Sequence, residues 1–349
     1  MKNHLLTDML YVIISEKQAN VTTKEHDGIK YGQHQSSLLQ IITSRKLHNH
    51  NSGSQNSNAV PNDDRTFLFS INPYNACAKK SSVSGNELWD MMILVVSGVR
   101  NFMRRDAIRN TWGSNVDVKN VKVLFLVGVD RVTSFRVEVA KESQLYGDII
   151  QVDIGDNYTN LTSKSIAMLQ WINDYCSNLK YLMKADDDVF VNLNLLLPLL
   201  HNFAKSEASL LCHVFQNAPP DRNKNSKYYT PVEEYPERVF PTYCSGVAYI
   251  IKSSVVAELH KTSLQANYLT MEDVFLTGIV AKQIGISHLH EGRILFYKTK
   301  ATGCSFRNTL VAHQMSSKEL FVIYSQMQTK EIDCDTNVNK YLMHVENMS

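Results

Sequence analysis

The sequence predicts an α/β domain with helices on both faces of a mostly parallel sheet. Three observations predict it. Short continuous apolar runs end in small residues, as strands buried on both faces do. Segments of helical period alternate with these runs. A triplet of carboxylates follows one run directly, where open α/β sheets bind their ligands.

Met91 to Ser97 (MMILVVS) and Val121 to Gly128 (VKVLFLVG) are the first two strands by this criterion, and Ile149 to Asp153 is the third. Asn160 to Cys176 reads as a helix, with Ile166, Leu169, Ile172 and Cys176 on one face. Lys180 to Ala185 is the next strand, and Asp186, Asp187 and Asp188 follow it at once. Val247 to Ile251 is another strand. Glu272 to Ile284 is helical, with Gly285 as its stop. No internal repeat interrupts this alternation.

The 349 residues are 44% hydrophobic and 20% charged, enough apolar material for a large core. A formal net charge of +2 supplies no global field for nucleic acid or a membrane surface, so recognition of an anion must rest on local charge. Gln18 to Arg65 is polar throughout; its stretch HNHNSGSQNSN, His48 to Asn58, buries little and is expected to be flexible. Its histidines read as part of a solvated linker rather than a metal site.

Six cysteines, Cys77, Cys176, Cys212, Cys244, Cys304 and Cys334, include no C-x-x-C pair, which argues against a zinc or thioredoxin-like motif. Their even number fits disulfides in a secretory compartment, but six scattered thiols would look the same. Sequons at Asn20, Asn157, Asn160 and Asn347 add weak support for that compartment. The N-terminus does not. Leu5 to Ile14 is mostly apolar, but Asp8 breaks it. It falls far short of the ~20 residues a membrane span needs, and no small-residue cleavage site follows.

Chemistry concentrates in Lys184-Ala-Asp-Asp-Asp-Val-Phe-Val-Asn192. Three adjacent carboxylates between apolar flanks repel one another and resist burial, and a divalent cation removes that cost. Alternate side chains of an extended segment share a face, so Asp186 and Asp188 can reach one ion. Oxygen ligands suit Mn²⁺ or Mg²⁺. A solvated acidic turn or a calcium loop are the other readings, though EF-hand spacing is absent. Arg104, Arg105 and Arg109 lie shortly after the first strand. Arg105 and Arg109, four apart, would share a helix face and could grip a diphosphate. Spacing alone favours a salt-bridged surface helix. Glu272 and Asp273 open an otherwise apolar helix, either complementing its dipole or supplying a general base. His313 is a surface histidine or a late metal ligand.

In order along the chain, these segments resemble the β-1,3-galactosyltransferase family over residues 67 to about 325. The blocks are Phe67-Leu-Phe-Ser-Ile-Asn-Pro73, Arg105 to Gly113, and Phe125-Leu-Val-Gly128. Next come Asp148-Ile-Ile-Gln151 with Asp156, Tyr158, Asn160-Leu-Thr162 and Lys164, then Lys184 to Asn192. Tyr243-Cys-Ser-Gly246 with Tyr249, and Glu272-Asp-Val274, complete the set. The resemblance implies a GT-A fold: a single Rossmann-like α/β catalytic domain with a mixed central sheet. It implies Mn²⁺, a UDP-galactose or UDP-N-acetylglucosamine donor, inversion, and a glycan acceptor on a glycoprotein or glycolipid, with galactosyl transfer in a β-1,3 linkage the first expectation. Asp186 to Asp188 would carry the metal, with Asp188 the foremost direct ligand; His313 stays the candidate third ligand beside Asp186 and Asp188. Asp273 would be the base, with Glu272 beside it. Arg105, Arg109, Lys164, Asp186 and Asp187 would bind the donor or build the architecture around it.

The organisation so implied is a stem-like segment 1–65, a catalytic domain 66–330 and a tail 331–349. The family also implies a Golgi lumenal, type II membrane setting, although no anchor stands out in this sequence. Glycine is scarce around the expected donor site, so neither a P-loop nor a dinucleotide fingerprint is present. From another class, a member of this fold that is catalytically silent would act as a glycan binder or a chaperone for another enzyme. Retention of Asp186, Asp188 and Asp273 together favours activity.

Overall fold

The computed structural model describes residues 66–78, 89–114, 116, 120–329 and 334. The polar segment 1–65, with its apolar run and Asn20, lies outside the described residues, as do Asn347 and all of 331–349 except Cys334. Among the described residues, no helix is long and apolar enough to cross a membrane.

The centre is an eight-stranded mixed sheet in the order β1-β4-β3-β2-β5-β8-β7-β9. Its strands are β1 (Phe69–Ile71), β2 (Trp89–Val96), β3 (Val121–Val129), β4 (Ile149–Gly155), β5 (Leu179–Asp186), β7 (Leu210–Phe215), β8 (Tyr243–Lys252) and β9 (His288–His290). β2 pairs in parallel with both β3 and β5, and β3 with β4. β8 runs antiparallel to β5 and to β7. The expected strands are therefore present, while the sheet is mixed rather than mostly parallel, because β1 and β8 run against their neighbours.

β2 shows why a continuous apolar run folds this way. Met91, Ile93 and Val95 enter the core on one face, and Met92, Leu94 and Val96 enter the core on the other. Each such side chain, fully buried, contributes roughly 1.5–3 kcal/mol. Helices α1 (Phe102–Arg109), α4 (Leu193–Lys205) and α7 (Ser317–Gln328) supply residues to the first core. Helix α2 (Thr133–Tyr146) adds Val139 to it and ends at Gly147, which takes φ 65°.

The second core is covered by α3 (Leu161–Tyr175), α5 (Val256–Gln265) and α6, which combines Val274–Val280 and Ala281–Gln283. The predicted face of α3 is buried, and so are Ala167, Met168 and Trp171. More of α3 is covered than its spacing foretold because α5 packs over it; Asn173 Nδ2 lies 3.2 Å from His260 Nδ1 between the two. The helix after Glu272 ends at Gly285, with φ 71°, as expected. Its stretch Val274–Val280 has the wider π-helical winding, which apolar spacing does not announce.

Disulfides join Cys77 to Cys176, Cys212 to Cys244, and Cys304 to Cys334. The second ties β7 to β8. The paired cysteines distinguish the disulfide reading from that of scattered thiols. Asn157 and Asn160 both serve a turn before α3. Asn157 Oδ1 accepts the Asn160 backbone N–H at 3.0 Å, and Asn160 Nδ2 donates to the Gly155 carbonyl at 2.8 Å.

A second, three-stranded sheet sits apart, in the order β10 (Ile294–Leu295), β11 (Val311–Ala312), β6 (Phe190–Val191). It brings the segment that leads into His313 back to the acidic triplet.

Candidate active site

The site lies beyond the carboxyl end of β5. Strand order reverses between β2 and β5, because β3 and β4 lie to one side of β2 while β5 lies to the other. Ligands of open α/β sheets bind at such a reversal. Asp186 ends β5, and Asp187 and Asp188 turn away from the sheet into β6.

The triplet divides its work. Asp187 points back toward β2. It accepts hydrogen bonds from Ser97 Oγ at 2.7 Å, Asn101 Nδ2 at 2.8 Å and Arg104 Nη1 at 2.8 Å. Asp186, at the end of β5, and Asp188, in the turn that follows, present carboxylate oxygens to the other side. Antiparallel pairing of Ala312 with Phe190 carries His313, the next residue, to the same place. His313 Nε2 stands 3.1 Å from Asp188 Oδ1 and 3.8 Å from Asp186 Oδ2.

One ligand atom from each of Asp186, Asp188 and His313 falls within 4.8 Å of the others. Asp188 Oδ1 is buried and lacks a well-directed hydrogen-bond donor. Two carboxylates and an imidazole, gathered around a shared space, fit a divalent cation. The cluster is thus compatible with a metal site. Arg104 lies at its edge, with Nη1 3.5 Å from Asp188 Oδ2.

A second acidic pair stands across Lys184. This buried lysine donates to Asp186 Oδ1 at 2.6 Å and to the Gly246 carbonyl at 2.5 Å. Its Nζ is 3.7 Å from Glu272 Oε2. Burial lowers the Lys184 pKa, but Asp186 and Glu272 outweigh burial and hold it above the usual lysine range. Glu272 also accepts the Tyr249 hydroxyl at 2.5 Å, so both of its oxygens face inward partners.

Asp273 differs from its neighbour. Its Oδ2 accepts the Gly246 N–H and its Oδ1 the Val274 N–H, each at 2.9 Å. Each oxygen keeps a lone pair for another partner. Burial and the Glu272 charge push its pKa up to about 7, against the smaller lowering effects of the two N–H groups and Lys184. A half-buried carboxyl poised near neutrality has the property a general base needs. The site therefore holds a cation-type cluster and, beyond Lys184, a separate basic carboxylate.

A family model described as galactosyltransferase matches residues 103–292. The curated relative "Beta-1,3-galactosyltransferase 1" of Homo sapiens is 34% identical over 274 residues, covering 78% of this chain and 82% of that protein. The Mus musculus protein of the same name matches equally.

The chain belongs to the galactosyltransferase family.

It is a hexosyltransferase. Family members that differ in sugar match over similar spans. "UDP-GalNAc:beta-1,3-N-acetylgalactosaminyltransferase 1" of Sus scrofa is 32% identical, covering 75% of this chain and 79% of that protein. "UDP-GlcNAc:betaGal beta-1,3-N-acetylglucosaminyltransferase 7" of Rattus norvegicus is 33% identical, covering 67% and 63%. The family match includes the acidic triplet and the Glu272-Asp273 pair, and it ends before His313.

Other expected site residues lie elsewhere in this galactosyltransferase fold. Arg105 is fully buried. It pairs with Glu142 through Nε at 2.9 Å and Nη2 at 2.7 Å, and donates to the Gly98 carbonyl at 2.6 Å and the Val99 carbonyl at 3.1 Å. Arg109 pairs with Glu142 at 2.8 Å and with Asp148 at 2.7 Å. Lys164, also buried, pairs with Asp156, whose other oxygen accepts the Val99 N–H at 2.5 Å. None of the three joins the metal-type cluster. Arg105 and Lys164 instead fix the loop Gly98–Val99 beyond the carboxyl end of β2. Spacing did not single out Ser97, Asn101, Lys184 or Gly246 as contributors. Their roles come from long-range pairings that only the fold supplies.

Proposed function

We propose that the chain transfers galactose from UDP-galactose to a glycan hydroxyl in a β-1,3 linkage, with inversion at the sugar carbon and Mn²⁺ as the resident ion. The observation that carries this reading is the placement of Asp273 with respect to the Asp186–Asp188–His313 cluster. Inversion needs a base on the face of the sugar opposite the leaving diphosphate, and so a carboxylate separate from the metal ligands. Lys184 bonds Asp186 of the cluster and, through the Gly246 backbone, is joined to Asp273, with Glu272 beside it.

Asp186, Asp188 and His313 would hold the ion. When bound, it would offset charge on the leaving diphosphate as a Lewis acid. Asp273 takes the proton from the acceptor hydroxyl as that oxygen bonds to the sugar carbon and the bond from that carbon to the diphosphate oxygen breaks. Glu272 and Lys184 hold Asp273's surroundings fixed, and Glu272 raises its basicity. Asp187, Asn101 and Arg104 brace the triplet from the β2 side. Arg105, Arg109 and Lys164 serve the architecture of the donor crevice.

Galactose is the donor proposed because the Homo sapiens and Mus musculus proteins named for it match 78% of this chain and 82% of their own, against 75% and 79% for the N-acetylgalactosaminyl relative and 67% and 63% for the N-acetylglucosaminyl one. The three disulfides support a lumenal setting, and family membership supports the Golgi and a glycoprotein or glycolipid acceptor. The test is transfer to a panel of β-glycoside acceptors from UDP-galactose, UDP-N-acetylglucosamine and UDP-N-acetylgalactosamine, with and without Mn²⁺, read by product mass. A hexose increment that requires Mn²⁺ is the expected result. An N-acetylhexosamine increment would replace the donor assignment, and no product with any donor would favour the catalytically silent alternative.

A further inference from the structure

An unbroken run of aromatic rings leads from the base to the protein surface. It starts at Tyr243, on β8, three residues before Gly246, whose N–H bonds Asp273 at 2.9 Å. The Tyr243 ring lies 5.3 Å from that of Phe215, on β7. Phe215 lies 5.2 Å from His213 and 5.0 Å from Phe296. Phe296 lies 4.7 Å from His213 and 5.3 Å from Tyr297. These separations are those of favourable ring pairs. The run ends in the open, with Phe296 40% and Tyr297 52% exposed.

Its position is set by both sheets. Leu295 pairs in parallel with Ala312, so Phe296 and His313 leave their strands together. Lys298 Nζ, donating to the Gln314 carbonyl at 3.0 Å, keeps the two segments side by side. The exposed rings therefore sit near the metal-type cluster, and the aromatic run joins them to the β8 segment that holds Asp273. They also lie on the β8-β7-β9 side of β5, away from the strand-order reversal at β2 where a nucleotide would bind.

We infer that Phe296 and Tyr297, backed by Phe215 and His213, form the platform for the second sugar of an oligosaccharide acceptor. This deepens the proposed function and rests on it. The apolar C–H face of a pyranose packs on an aromatic face, and such surfaces give contact area at low entropic cost. The first sugar presents its hydroxyl to Asp273. The next sugar of the glycan follows the aromatic run outward from Tyr243. His213 has a pKa lowered by burial and by His290, which leaves a neutral ring in the stack at neutral pH.

The test compares a methyl monosaccharide glycoside with its β-linked disaccharide and trisaccharide as acceptors, at saturating donor. For Phe296→Ala and Tyr297→Ala, KM for the longer acceptors should rise on the order of tenfold. KM for the monosaccharide and for the donor should change less than about twofold, and Phe296→Tyr should restore the longer acceptors. Saturation-transfer NMR of the trisaccharide without donor should show protons of the second sugar contacting the wild-type protein but not the Phe296→Ala variant. Equal losses for short and long acceptors, or a raised KM for the donor, would overturn the platform while leaving the transferase reading intact. Absence of transfer by the wild type would overturn the functional reading, and the platform with it.

Discussion

Gly246 donates its backbone N–H to Asp273 at 2.9 Å, and its carbonyl accepts from Lys184 at 2.5 Å. One residue without a side chain thus joins Asp273, the proposed base, to the lysine beside the metal-type cluster. A Cβ at 246 would meet Asp273 Oδ2 at 3.0 Å and its Cβ at 3.2 Å. Gly246→Ala should therefore displace the base without touching the cation cluster. Turnover should fall at least tenfold while Mn²⁺-dependent UDP binding stays within about threefold, measured by steady-state kinetics and calorimetry.

Asp273→Asn keeps the side chain's size and removes its basicity. It should cost about 10²–10⁴-fold in kcat with donor affinity nearly unchanged. Glu272→Gln should cost less, since Glu272 acts on Asp273 rather than on the acceptor. Loss of donor binding in Asp273→Asn would move the search to another carboxylate.

The pH dependence has a definite sign. Asp273, with its pKa pushed up to about 7, must lose its proton to act. At saturating metal, kcat/KM should climb as pH rises through about 7, and the residual rate of Asp273→Asn should lack that limb. Stability runs the other way. A carboxyl whose folded pKa is raised favours the folded state fully below its unfolded value, and that contribution fades as pH rises through about 7. Asp273→Asn should gain stability relative to the wild type between pH 5 and pH 8, by urea titration at both values.

Arg105 is predicted to matter for folding. Arg105→Ala would leave Glu142 buried beside Arg109 alone, and breaking such a pair costs about 3–5 kcal/mol. Arg105→Lys should recover little, because a single ammonium cannot reproduce the forked contact. A chemical melt that places both variants within about 1 kcal/mol of the wild type would contradict this.

Much of this fold was legible in sequence because its strands are continuous apolar runs and its helices have sharp stops such as Gly285. The acidic triplet was legible as well, since three carboxylates ending a buried strand demand an explanation. Asp187 was the exception. Its partners Ser97 and Asn101 lie 90 and 86 positions away in the sequence, beyond the reach of any local pattern. His313 carried no local signal: it reaches the cluster through two-residue strands too short for periodicity to reveal. Arg105 and Arg109 do share a helix face, as their spacing said. That face turns inward to Glu142, which no spacing could show.

We propose that Asp186, Asp188 and His313 hold the ion on which sugar transfer depends. The most direct measurement is Mn²⁺ titration of UDP binding by calorimetry, run on the wild type, Asp188→Asn and His313→Ala. The wild type should bind UDP only with Mn²⁺. Asp188→Asn and His313→Ala should each lose more Mn²⁺ affinity than the roughly 10–100-fold that changes one shell further out cost. Both variants should keep the wild-type melting transition in chelator. Unchanged Mn²⁺ affinity in either variant, or tight UDP binding by the wild type in chelator, would contradict it.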